Sequence, residues 1–89
     1  MHVLLAEHDN QVARLLESLL SRWKYDYATA RDVNEVWAAL YDRSAPQIMI
    51  LDWAMPEMDG VRCIQKIRAS KNAPYVYIIM LTEQDRKQD

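Results

Sequence analysis

Gln47-Ile48-Met49-Ile50-Leu51 is a near-continuous apolar run, entered after Pro46 and closed by the carboxylate of Asp52. A run this short and this apolar reads as a strand buried on both faces, which is the pattern of a parallel sheet covered by helices. Two further stretches share it: His2-Val3-Leu4-Leu5-Ala6, which ends at Glu7, and Tyr75 to Leu81 (YVYIIML), the strongest strand signal in the chain. Tyr25 to Ala30 (YDYATA) is more polar and fits a strand at the sheet edge.

Helical patterns separate these strands. Val12, Leu15, Leu16, Leu19, Leu20 and Trp23 recur at helical spacing, with Asp9 or Asn10 able to cap the start. Asp32-x-x-Glu35 is a capping-box pattern ahead of Val33, Val36, Trp37, Leu40 and Tyr41. Val61, Ile64 and Ile67 predict a third helix over Met58 to Ser70, broken by Asn72-Ala73-Pro74. Thr82 to Asp89 is polar and could begin a fourth. Trp23, Trp37 and Cys63 are expected in the core. The order β-α-β-α-β-α-β implies an α/β fold, a doubly wound parallel sheet, in a single domain over residues 1–89.

Composition narrows the function. The chain has 89 residues, a formal net charge of -2, one glycine and one cysteine. One glycine cannot build a P-loop or a G-x-G-x-x-G turn, and one cysteine cannot build a disulfide framework or a multi-cysteine zinc site. A charge near zero without a basic cluster predicts that this segment binds no nucleic acid. No stretch has the pattern of a signal peptide or the length of a membrane span, so the expected location is cytoplasmic, away from membranes.

Ligands of such sheets bind beyond the carboxyl ends of the strands. There the sequence places Glu7-His8-Asp9, Asp52 and Thr82. Carboxylates gathered in a small volume repel one another, and a divalent cation relieves that repulsion. Oxygen donors without thiolates favour magnesium (Mg2+) or manganese over zinc. An aspartate beside such a cation can serve as a nucleophile toward phosphorus.

The segment Leu51-Asp52-Trp53-Ala54-Met55-Pro56-Glu57-Met58-Asp59-Gly60 resembles the phosphoacceptor segment of response-regulator receiver domains, and the acids after the first strand and the Ile79-Met80-Leu81-Thr82 run fit the same family. The resemblance covers essentially the whole chain. It implies a flavodoxin-like fold with strand order 2-1-3-4-5 and a phosphoryl group taken onto Asp52 from a histidine kinase or phosphotransfer protein, with no separate substrate. It further implies that Glu7 and Asp52 hold the metal with the Ala54 backbone carbonyl, that His8 or Asp9 is a further candidate ligand, and that the Thr82 hydroxyl hydrogen-bonds the phosphoryl oxygen. Gly60 would serve tight backbone geometry there.

The chain departs from the family pattern at three places. His8 stands where a second acid is usual, and Glu83 where a small residue is usual. The family's fifth strand, with the lysine at its end, has no counterpart in these 89 residues. An exposed or packing role is favoured for His8 over ligation, and an N-cap for Asp9. Trp53 is expected near the site and partly exposed. The departures motivate an alternative: a degenerate receiver that binds partners without phosphorylation. A phosphohydrolase using an aspartyl phosphate would need an acid where Ala54 stands. Without a fifth βα unit, the fourth strand is expected to form an exposed edge that recruits a second copy into a homo-oligomer, with side chains of the first helix and third strand left exposed.

Overall fold

The computed structural model describes residues 1–43, 45–52, 54–55, 58–70 and 75–81, and for residues 54, 55, 58 and 59 the backbone alone. The strands are β1 (His2–Ala6), β2 (Asp26–Ala30), β3 (Ile48–Asp52), β4 (Ala54–Met55), β5 (Met58–Asp59) and β6 (Tyr77–Leu81). The helices are α1 (Asn10–Arg22), α2 (Val33–Leu40) and α3 (Gly60–Ala69). β1, β2, β3 and β6 form one parallel sheet in the order β2-β1-β3-β6, as expected for the first four strands.

β1 is central because its alternate residues are apolar on both faces. Leu4 and Ala6 join a cluster with Ala30, Val36, Leu40, Met49, Leu51, Cys63, Ile67 and Val76, which α2 and α3 cover. Val3 and Leu5 alternate with them and are buried on the other face, with Ala13 and Leu20 of α1. The opposite placement of α1 follows from handedness. The connection from β1 to β2 runs one way across the sheet and those to β3 and β6 run the other, and right-handed crossovers then put α1 on one face and α2 and α3 on the other.

Helix entry is set by local polar groups. Asp9 caps α1, its side chain accepting from the Gln11 and Val12 N–H groups. Asp32 accepts from the Glu35 N–H, while Glu35 reaches back to the Arg31 N–H at 2.7 Å, one residue further than in the expected capping box. The third helix starts later than its periodicity suggests. Met58 and Asp59 pair antiparallel with Met55 and Ala54 instead of entering α3.

Other expectations are corrected too. Trp23 is 61% exposed at the C-cap of α1, outside the core. Trp37 is half-buried, packs against the core and stacks on Tyr41 with ring centroids 6.1 Å apart. The α1 face, as expected, is only partly covered: Leu15 is 62% exposed and Val12 is exposed as well. On β3, Ile48 and Ile50 are half-buried; the more open side chains are Tyr77 and Ile79 of β6. The break at Asn72-Ala73-Pro74 and the polar segment from Thr82 to Asp89 lie outside the described residues.

Gly60 is buried at the first position of α3 and has no positive φ. Among the described residues the left-handed conformation belongs to Lys24, at φ 64°. It closes α1: the Lys24 N–H donates to the Ser21 carbonyl and the Tyr25 N–H to the Leu20 carbonyl. A side chain with a Cβ carries a steric cost there that glycine avoids. Lys24→Gly is therefore expected to raise the unfolding free energy by about 0.5–1 kcal/mol, after allowing for the freer unfolded chain. Denaturant unfolding of the two proteins measures this, and a clear loss of stability would contradict it.

Candidate functional site

The parallel register of β1 on β3 builds the site. Ala6 lies beside Leu51, so the residues that follow them, Glu7 and Asp52, stand side by side at the carboxyl edge of the sheet. β1 is followed by β2 on one side and flanked by β3 on the other, so this edge is the topological switch point. Glu7 continues the alternation of Val3 and Leu5, and Asp52 that of Ile48 and Ile50, so both belong to the α1 side.

Glu7 is 4% exposed, the one buried charged residue among those described. Its backbone N–H extends the β1–β2 ladder to the Ala30 carbonyl at 3.0 Å, and its Oε2 accepts the Asp9 N–H at 3.1 Å. Burial pushes the Glu7 carboxyl above the usual glutamate range. The Asp9 N–H opposes that shift and the neighbouring Asp52 adds to it. A proton held between the two carboxyls, or a cation, satisfies this arrangement.

His8 completes the group. Its side chain is 43% exposed, yet Nδ1 lies 2.8 Å from Asp52 Oδ2 and 3.7 Å from Glu7 Oε2. One donor atom from each of Glu7, His8 and Asp52 lies within 4.8 Å of the others, a grouping that could hold a metal ion. The donor set fits a divalent cation: two carboxylates supply hard oxygen and negative charge, and a neutral imidazole supplies a nitrogen. Asp9 is placed differently, because its Oδ1 is engaged by the first N–H groups of α1. Ala54 stands in β4, paired with Asp59, two residues beyond Asp52. Thr82 directly follows Leu81, the β6 partner of Asp52, but itself lies outside the described residues, as do Trp53 and Glu83.

The His8 to Asp52 contact is the feature that sequence reasoning underweighted. One signal was available: His8 occupies the first turn beyond a strand whose neighbour ends in a carboxylate. Cys63 behaves as expected, buried in the α3 face with its thiol pushed up by burial. Among the described residues no helix is long and apolar enough to cross a membrane.

Comparison with known proteins agrees with this geometry. The family model for the response regulator receiver domain matches residues 3–89. Chemotaxis protein CheY1 of Helicobacter pylori is 32% identical over 88 residues, covering 98% of this chain and 71% of the relative. Response regulator protein GraR of Staphylococcus aureus is 32% identical over 89 residues, 38% of its own length. Among solved structures, the N-terminal domain of a response regulator receiver protein from Methanoculleus marisnigri JR1 superposes with a TM-score of 0.83 at 25% identity. That match covers 91% of this chain, which spans 65% of the solved one. A parallel sheet in receiver order, acids gathered at its switch point and these relatives agree, and the chain belongs to the response regulator receiver domain family of two-component signalling.

Proposed function

We propose that Asp52 accepts a phosphoryl group from the phosphohistidine of a histidine kinase or phosphotransfer protein, at a site where Glu7 and Asp52 hold magnesium or manganese. One observation carries this reading: a buried Glu7 carboxylate stands beside Asp52 at the switch point of the sheet. When bound, the cation supplies charge neutralisation for the phosphoryl oxygens. An Asp52 carboxylate oxygen attacks phosphorus, the phosphorus–nitrogen bond of the donor breaks, and its electron pair returns to the donor imidazole. The product is an acyl phosphate on Asp52, so the protein is itself the acceptor. The Glu7 carboxylate keeps local negative charge high until a cation or proton offsets it. Following the family resemblance, the Ala54 carbonyl is assigned as a further metal ligand and the Thr82 hydroxyl as a donor to the phosphoryl oxygen. The proposed location is the cytoplasm, where such donors act.

A second reading rests on His8. Its imidazole already engages Asp52 Oδ2 at 2.8 Å, which suits a module that binds partners without phosphorylation. A small-molecule phosphodonor with magnesium separates the two. Addition of one phosphoryl group, seen by intact mass and absent in Asp52→Ala, is expected. An unlabelled protein, or equal labelling of the variant, would favour the interaction module or displace Asp52 as the acceptor.

The shift at Glu7 has a consequence for stability. The folded protein holds this proton more tightly than the unfolded chain, so in metal-free buffer stability falls as pH rises from the ordinary glutamate range through the raised folded value. Thermal melts should show that slope in the parent and lose it in Glu7→Gln. Added manganese should raise the melting temperature of the parent near neutral pH much more than that of the variant.

We also propose a homo-oligomer through β6. β3 pairs with one of its edges, and among the described residues no strand pairs with the other. The strand reads Tyr77-Ile78-Ile79-Met80-Leu81, without a charge or proline to deter pairing. Light scattering at micromolar concentration should give more than the monomer mass of 10.5 kDa. A monomer throughout would refute it.

A further inference from the structure

We propose that His8 is a direct metal ligand and turns this site from magnesium toward a borderline dication such as manganese or cobalt. The inference rests on the metal site proposed above and concerns which ion that site selects.

Spacing is the first support. Two atoms each about 2.1 Å from one cation lie about 3.0 Å apart when adjacent in an octahedron, and about 3.4 Å apart in a tetrahedron. His8 Nδ1 stands 2.8 Å from Asp52 Oδ2 and 3.7 Å from Glu7 Oε2, so its separations bracket both values. The imidazole is thus already at ligand spacing from both carboxylates. Ligation through Nδ1 needs the tautomer with the proton on Nε2, so the hydrogen bond to Asp52 gives way to shared coordination.

Exclusion of the alternative third ligand is the second support. Asp9 would supply oxygen and keep the site suited to magnesium. Its Oδ1 instead accepts from the Gln11 N–H at 2.9 Å and the Val12 N–H at 3.3 Å. Withdrawing it would uncap α1, and no Asp9 atom is among the donor atoms that lie within 4.8 Å of one another. The nitrogen is therefore the third protein donor placed beside the two carboxylates.

Donor chemistry then sets the preference. Magnesium is hard, sheds its waters reluctantly and favours oxygen. Imidazole nitrogen suits the later first-row dications, whose affinities at nitrogen-containing sites rise from manganese through cobalt. Cobalt exceeds magnesium at many sites, so the ratio alone is a weak sign. The informative quantities are its change when the nitrogen is removed and a direct signal from that nitrogen.

The test loads metal-free protein with manganese chloride and records electron spin-echo envelope modulation. Calorimetric titrations with magnesium, manganese and cobalt chlorides run alongside. A nitrogen-14 modulation is expected in the parent and in His2→Gln, which alters the other histidine, but not in His8→Asp. His8→Asp should also tighten magnesium and shrink the cobalt-to-magnesium affinity ratio on the order of tenfold. Should His8→Asp fail to fold by circular dichroism, the modulation in His2→Gln decides alone. Manganese that binds without nitrogen modulation and weakens in Asp52→Asn would overturn the role of His8 while leaving the acidic metal site standing. Absence of binding by all three cations at millimolar concentration would overturn both.

Discussion

The parallel pairing of β1 with β3 is the constraint from which the rest of this domain follows. Val3 to Ala6 lie beside Ile48 to Leu51, and this register brings two carboxylates to the same end of adjacent strands. A shift of one residue would turn each side chain of one strand to the opposite face. If that strand were β1, Leu4 and Ala6 would leave the cluster beneath α2 and α3, and Glu7 and Asp52 would no longer share a side. Core packing and site geometry therefore rest on the same register. The apolar burial that holds the sheet together is also what keeps the Glu7 carboxylate out of water.

The two faces of the sheet are closed to different degrees. α2 and α3 seal one face, where Leu40, Met49 and Leu51 are fully buried. α1 alone covers the described part of the other, over β1 and β2. A 2.5 Å hydrogen bond from the Thr29 hydroxyl to Glu17 ties α1 to β2. Beyond it, Tyr77 is 58% exposed. The site opens on this same side, so the residues that would exchange cations and phosphoryl groups stand at the less completely packed face. Polar loops at the rim of a rigid sheet can accommodate chemistry that the sealed face could not.

Much of this was legible residue by residue. The strand boundaries of His2 to Ala6 need only a short apolar run bounded by an acid, and the cap at Asp9 needs only a short side-chain acceptor before a helical stripe. The polar character of Asp26 to Ala30 correctly marked a sheet edge. Periodicity misled where a residue stood at a helix end. Trp23 keeps the spacing of the α1 stripe, but the helix has already ended there, and its ring turns to solvent. Val61 does lie on α3, yet it is exposed while Cys63 and Ile67 carry the burial. Met58 and Asp59 pair with residues close in sequence before the helix begins. The lone glycine starts α3 without a positive φ, while Lys24 takes the left-handed position at the end of α1.

What the sequence by itself determined is the order of elements, the apolar strands and the placement of acids at their carboxyl ends. These depend on local periodicity and on which residues water will not hold. Only the tertiary structure decided how neighbouring polar groups divide their partners. Asp9 and His8 are adjacent in sequence, yet one turns to the N–H groups of α1 and the other to Asp52. That division depends on the angle at which α1 leaves β1 and on the lateral register of β3, which bring residues 44 positions apart to within 2.8 Å. Neither is encoded in the spacing of any one segment, because both arise from packing separate segments against a common core.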